Sequence, residues 1–119
     1  MTVGWYEPEH PEDPTFVDAA ERRLQFDMGW FAHPIMVDGT YPPIMRKLVD
    51  EKSSAQGFNQ SRLPHFTAQE SEEIKGSTDF IGINHYSSSY VYPMEYPIEE
   101  VSYYADRDLG TCQDPLWYP

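Results

Sequence analysis

One short run, "DFIGIN" from Asp79 to Asn84, limits what this chain can fold into more than any other. Phe80, Ile81 and Ile83 make it apolar on both faces, which is the mark of a core strand in an α/β fold. A strand of that kind needs a neighbour on each edge for its amides and carbonyls, and cover on each face. The rest of the sequence offers little of either. Three helical patterns and one good strand do not enclose a core, so the chain reads as a slice of a larger α/β structure.

The helical patterns are clear enough to place. Thr15 follows Pro14 and stands three residues before Asp18, a capping arrangement for a helix whose apolar stripe is Val17, Ala20, Leu24, Met28 and Phe31. The pattern weakens at Gly29, and His33 before Pro34 is biased towards extended backbone. Ile44, Met45, Leu48 and Val49 predict a second, short helix entered through Pro42 and Pro43. Thr67 with Glu70 predicts a capping box, and Gly76 a stop, for a third. "WYEPEHPEDP" reads as irregular. The segment 87–119 loses periodicity altogether and reads as a long loop or extension within one incomplete domain spanning 1–119.

Composition removes several classes of partner. A net charge of −12 argues against nucleic acid and anionic membrane surfaces, because phosphate binding needs a basic face. No apolar run approaches the ~20 residues of a membrane span. The first ten residues, "MTVGWYEPEH", have neither the basic region nor the apolar core of a signal peptide, so the compartment stays open. Cys112 stands alone and forms no internal disulfide or cysteine-based metal site.

Other side chains invite chemistry and mostly have a plainer reading. His10, His33, His65 and His85 lack the i, i+4 spacing of a helical zinc site, so no metal is expected. Ser87, Ser88 and Ser89 lie outside any Gly-x-Ser-x-Gly elbow. Asn59-Gln60-Ser61 matches the N-glycosylation acceptor pattern, which has meaning only in a secreted protein. The 20 acidic residues fall largely in caps, solvated helix faces and proline-rich loops. The end of the "DFIGIN" strand is different, since ligands of parallel α/β folds gather at carboxyl ends of strands. Asn84 and Tyr86 repeat at the two-residue period that shares a face, where an amide and a phenol can grip a hydroxyl or position a carboxylate. A turn cap at Asn84 and plain packing of Tyr86 account for the pair equally well.

Several strings occur together in an order that resembles the family-1 glycoside hydrolases: "WYEP", "AAERRLQFDMGWFAHPI", "YPPIM", "SRLPHFTAQESEEIKGSTDFIGINHYSSSYV" and "QDPLW". The likeness runs from Trp5 to Trp117 and is greatest to animal enzymes of the insect β-glucosidase, myrosinase and lactase-like kind. It implies a (β/α)8 barrel of which this chain is a central slice. "TVG" then stands for the fifth strand and "DFIGIN" for the sixth. It also implies that Tyr86 hydrogen-bonds the nucleophilic carboxylate and that Asn84 sits beside it in the sugar pocket, both as supporting groups.

The resemblance carries a departure. Such enzymes retain anomeric configuration with two glutamates, one acid/base and one nucleophile, about 5–5.5 Å apart. The acid/base belongs to a Thr-x-Asn-Glu-Pro motif and the nucleophile to an Ile/Val-Thr-Glu-Asn-Gly motif. Neither motif occurs in these 119 residues, and Glu7-Pro8 lacks the preceding asparagine. The expectation is a fragment of a retaining β-glycosidase acting on β-glucosides, needing no cofactor and inactive alone. The parent enzyme fits a secreted or a lysosomal setting. A truncated, non-catalytic sugar- or protein-binding relative is the alternative.

Overall fold

The computed structural model describes residues 1–117. The last two residues of the 87–119 segment lie outside the described residues. Three strands form one sheet in the order β1 (Trp5–Pro8), β2 (Ser88–Pro93), β3 (Leu109–Cys112). β1 and β2 run parallel, with Tyr6 opposite Ser89, and β2 and β3 run antiparallel, with Val91 opposite Thr111.

Two regions expected to lack structure therefore build the sheet. "WYEP", read as irregular, is β1, and the 87–119 segment holds β2, a helical turn and β3 rather than a continuous loop. The reason is tertiary pairing. Each of these short strands lacks an alternating apolar pattern and takes its geometry from the ladder beside it.

Helix α1 (Pro14–Leu24) lies across β1 and β2. Its small residues Ala19 and Ala20 let it sit close over Tyr6, Val91 and Leu109, the first core cluster. The cap of α1 is Asp13, two residues earlier than the expected Thr15. The Asp13 carboxylate accepts from the Thr15 amide at 2.9 Å and hydroxyl at 2.8 Å, and these bonds hold it below the usual carboxylate range. Pro14 occupies the first turn, where a missing amide costs nothing.

The helical run then continues past both expected stops. A π-helical turn over Gln25–Gly29 leads into α2 (Trp30–His33), and a second π-turn over Pro34–Asp38 leads to Gly39. His33 is right-handed helical, not extended. Pro34 falls where the hydrogen-bond pattern widens, so its missing amide does not break the run. Gly39 ends it with φ of 82°, and a Cβ there would strike the Ser71 backbone. Helix α3 (Pro43–Ala55) starts at the expected prolines and closes a second core of Phe26, Met45, Val49 and Leu63.

Helix α4 (Ala68–Ile74) follows the sequence closely. The Thr67 amide donates to Glu70 Oε2 at 2.8 Å, and the Glu70 amide donates to Thr67 Oγ1 at 3.2 Å. These bonds, the one from the Thr67 backbone first, hold the Glu70 carboxyl below its usual range. A carboxyl lowered by folding stabilises above its unfolded pKa, and that contribution fades as pH falls through the folded value. Acidification below the ordinary glutamate range is therefore expected to release the α4 cap. Glu70→Gln is expected to remove most of that pH dependence. An NMR titration of the α4 amides checks this, and identical acid profiles for the two chains would contradict it.

The "DFIGIN" run differs most from expectation. It forms no ladder: Asn84 makes a single parallel bridge to Thr2, and the Gly82 carbonyl accepts from the Met1 amino group at 2.7 Å. The bonds of the bridge are Asn84 N–H to Met1 O at 2.8 Å and Val3 N–H to Asn84 O at 3.1 Å. Phe80 is 78% exposed and Ile83 49% exposed, so this is no buried strand among the described residues. Its partner lies along one edge, and nothing among the described residues covers the other. Between the Thr2–Asn84 and Trp5–Ser88 pairs lie two residues on one side (Val3 and Gly4) and three on the other (His85, Tyr86 and Ser87). The extra residue makes a bulge. Gly4 faces it closely, since a Cβ there would lie 3.2 Å from the Ser87 carbonyl oxygen.

Candidate functional site

The carboxyl ends of parallel β1 and β2, at Pro8 and Pro93, point the same way. Residues paired across a sheet share a face, so Glu7, Tyr90 and Cys112 lie together on the side opposite Tyr6 and α1. Trp5, also on that side, donates its indole N–H to Glu7 Oε1 at 2.6 Å. Tyr90 packs against Trp117 with ring centroids 4.8 Å apart. This face is half-open, aromatic and carries a carboxylate.

Asn84 and Tyr86 reach solvent at the bulge below it. Asn84 is exposed, and Tyr86 is 80% exposed. The bulge breaks the strict two-residue alternation that would place them on one side. Among the described residues neither side chain makes a hydrogen bond. His85 between them is exposed as well.

The other candidates are scattered. His10 lies 3.3 Å from Glu12, and His33 Nδ1 lies 2.9 Å from the Thr40 carbonyl oxygen. His65 borders a hollow with Tyr41, Arg46 and Phe66. No group of three or more His, Cys, Asp or Glu able to hold a metal occurs among the described residues. Cys112 Sγ lies 3.9 Å from Glu9, and burial followed by that carboxylate raises its thiol, keeping it protonated. Asn59 is exposed in a bend after α3.

A half-buried charge cluster, with Asp106 and Arg107 at its buried centre, carries the strongest geometry, and reading the sequence does not find it. Asp27 accepts from Tyr6 Oη at 2.6 Å, Arg23 at 3.0 Å, Arg107 at 3.4 Å, and the Tyr103 phenol. Burial first, and the Asp27 bond second, push both phenols above their ordinary pKa, so they stay protonated donors. Arg62 grips Asp106 through two nitrogens at 2.9 and 2.6 Å. Lys52 meets Asp108 at 2.5 Å, and Arg22 donates to the carbonyls of Arg107 and Asp108. Together these contacts clasp the 103–108 segment, with its helical turn α5 (Tyr103–Asp106), onto the helices. Through Tyr6 they also tie it to β1. The participants come from positions 6 to 108, so apart from the i, i+4 pair of Arg23 and Asp27 no local spacing announces them.

The model of the glycosyl hydrolase family 1 matches residues 1–119. The chain belongs to that family. Over 118 residues it is 45% identical to the lactase-like protein of Homo sapiens, covering 98% of this chain and 21% of that protein. Myrosinase 1 of Brevicoryne brassicae is 46% identical over 87 residues, 73% of this chain and 18% of the relative. Among solved structures, an aphid myrosinase superposes with a TM-score of 0.89 at 37% identity, covering 100% of this chain and 25% of that one. A rice β-glucosidase in a covalent complex with glucose gives 0.81 at 33% identity, covering 99% and 23%. The chain thus spans a quarter or less of each of these relatives, and 6% of the lactase/phlorizin hydrolase of Homo sapiens, to which it is 42% identical over 117 residues. Its sheet and helices are a partial α/β segment of the family-1 barrel fold, as the resemblance implied.

Proposed function

We propose that this chain is a segment of a retaining β-glycosidase that hydrolyses β-glucosidic bonds, and that the segment alone does not turn over substrate. The observation that carries the reading is the family-1 match along all 119 residues. The glucose held covalently in the rice relative fits double displacement, in which a carboxylate attacks the anomeric carbon and water later releases the sugar.

On this reading the segment supplies the floor of the pocket and leaves the chemistry to groups elsewhere. Tyr86 would donate its phenol proton to the nucleophilic carboxylate, and Asn84 would offer its amide to a sugar hydroxyl or to the same carboxylate. Their exposure is what a pocket-facing pair needs when the opposing wall comes from other segments. The acid/base and the nucleophile would come from the two glutamate motifs lacking here.

The test is hydrolysis of p-nitrophenyl β-glucoside by the purified chain beside a full-length family-1 protein containing it. The chain is expected to match the buffer blank, and the full-length protein to release nitrophenol and form a covalent glucosyl adduct. Turnover by the chain itself would overturn the proposal. The second reading, a non-catalytic sugar- or protein-binding relative, draws on the ion-paired clasp, which gives the segment a core of its own. A cooperative urea melt of a chain that binds glucoside without cleaving it would select that reading.

A further inference from the structure

Helix α3 ends in a small loop with a pinned base. Ser53, buried on the inner side of α3, accepts the Phe58 amide on its carbonyl at 3.0 Å and the Arg62 amide on its Oγ at 3.0 Å. Arg62 is fixed in turn by its two bonds to buried Asp106. Gly57 turns the chain out of the helix with φ of 84°. Between these anchors Asn59 and Gln60 are exposed, and Asn59 makes no side-chain hydrogen bond among the described residues. Ser61, two residues on, accepts from the Leu63 amide at 3.1 Å and keeps its hydroxyl proton free among the described residues.

We propose that Asn59 is an acceptor of N-linked glycan, at the tip of a loop whose base Ser53 and Arg62 hold in place. Asn-x-Ser with no proline at the middle position is the pattern a membrane-bound oligosaccharyl transferase reads, and the product is a bulky, solvated surface group. The co-donor is an oligosaccharide on a polyprenyl diphosphate. The Asn59 amide nitrogen forms a bond to the anomeric carbon of the donor's first sugar, and the bond from that carbon to the diphosphate oxygen breaks. The lipid diphosphate leaves with the electron pair and takes up the proton lost by the amide. At Asn59 the glycan projects into solvent, while the anchors beneath it are undisturbed. The inference stands apart from the glycosidase reading and does not need it.

The whole chain, given a secretory signal and a C-terminal Asn-Gly-Thr acceptor tag, is translated with microsomes. Only molecules with a glycosylated tag are scored, because the tag reports entry into the lumen. Most of them are expected to carry a second glycan, removed by peptide N-glycosidase and absent from Asn59→Gln. A single glycan on the unaltered chain would overturn the proposal, as would a second glycan that persists in Asn59→Gln.

Discussion

Asp27→Ala is expected to destabilise the chain by about 3–5 kcal/mol, the range for removing one partner of a buried charge pair. The carboxylate serves four donors, two of them guanidinium groups, from β1, α1 and the 103–108 segment. Its own side chain is 16% exposed and that of Arg107 only 4%, so solvent does not replace what is lost. The cluster has little reserve, because the Nε atoms of Arg23 and Arg107 are already buried without a partner. Deleting the carboxylate leaves the buried Arg107 and half-buried Arg23 cations without it and two phenols without an acceptor. Asp27→Asn keeps one acceptor oxygen and is expected to lose less. A urea melt followed by near-ultraviolet circular dichroism reads the change, since Tyr103 stacks on Trp30 at 5.6 Å and reports the clasp directly. An unchanged midpoint for Asp27→Ala would mean the cluster is ornamental to stability.

What the sequence discloses divides along the range of the forces involved. The α4 capping box was legible because its partners lie within three residues, and the Gly76 stop because a positive φ there favours glycine. The α1 cap moved from Thr15 to Asp13 because two capping residues flank Pro14 and the earlier one reaches the free amides first. The run through Pro34 was illegible, since a π-turn changes the rule that makes an internal proline a break. Strands β1 and β2 carry no period-two pattern of their own. They exist because "WYEP" and "SSYVYP" find each other 83 positions apart. The apolar character of Phe80 to Ile83 was plain, but burial is a property of neighbours, and one edge with no cover leaves Phe80 in solvent. Asn84 and Tyr86 were singled out by strand logic and given a role only by resemblance to a family. Asp27 had one local signal, its i, i+4 spacing from Arg23, but its other donors, Tyr6, Tyr103 and Arg107, approach from both ends of the chain.

The Arg62–Asp106 pair separates two meanings of a buried ion pair. Asp106→Ala is expected to lose about 3–5 kcal/mol, because Arg62 would keep its charge with no carboxylate near it. The pair is two-pronged, at 2.9 and 2.6 Å, and the carboxylate raises the affinity of the Arg62 guanidinium for its proton. Asp106 also sits in α5, where Ser102 Oγ accepts the Ala105 amide at 3.0 Å, so the loss reaches the whole clasp. Replacing both partners, Arg62→Met with Asp106→Leu, is expected to recover most of the stability, since no charge is then left buried. The double chain should nevertheless hold the 57–61 loop less firmly, because Arg62 no longer anchors its base through Asp106. Hydrogen exchange at the backbone amides of positions 58 and 62 reads that loosening, while the urea midpoint reads global stability. If the double replacement is no more stable than Asp106→Ala, the pair stabilises through its geometry rather than by avoiding a stranded charge. In that case the clasp is a specific hydrogen-bonded joint whose removal no apolar pair can offset.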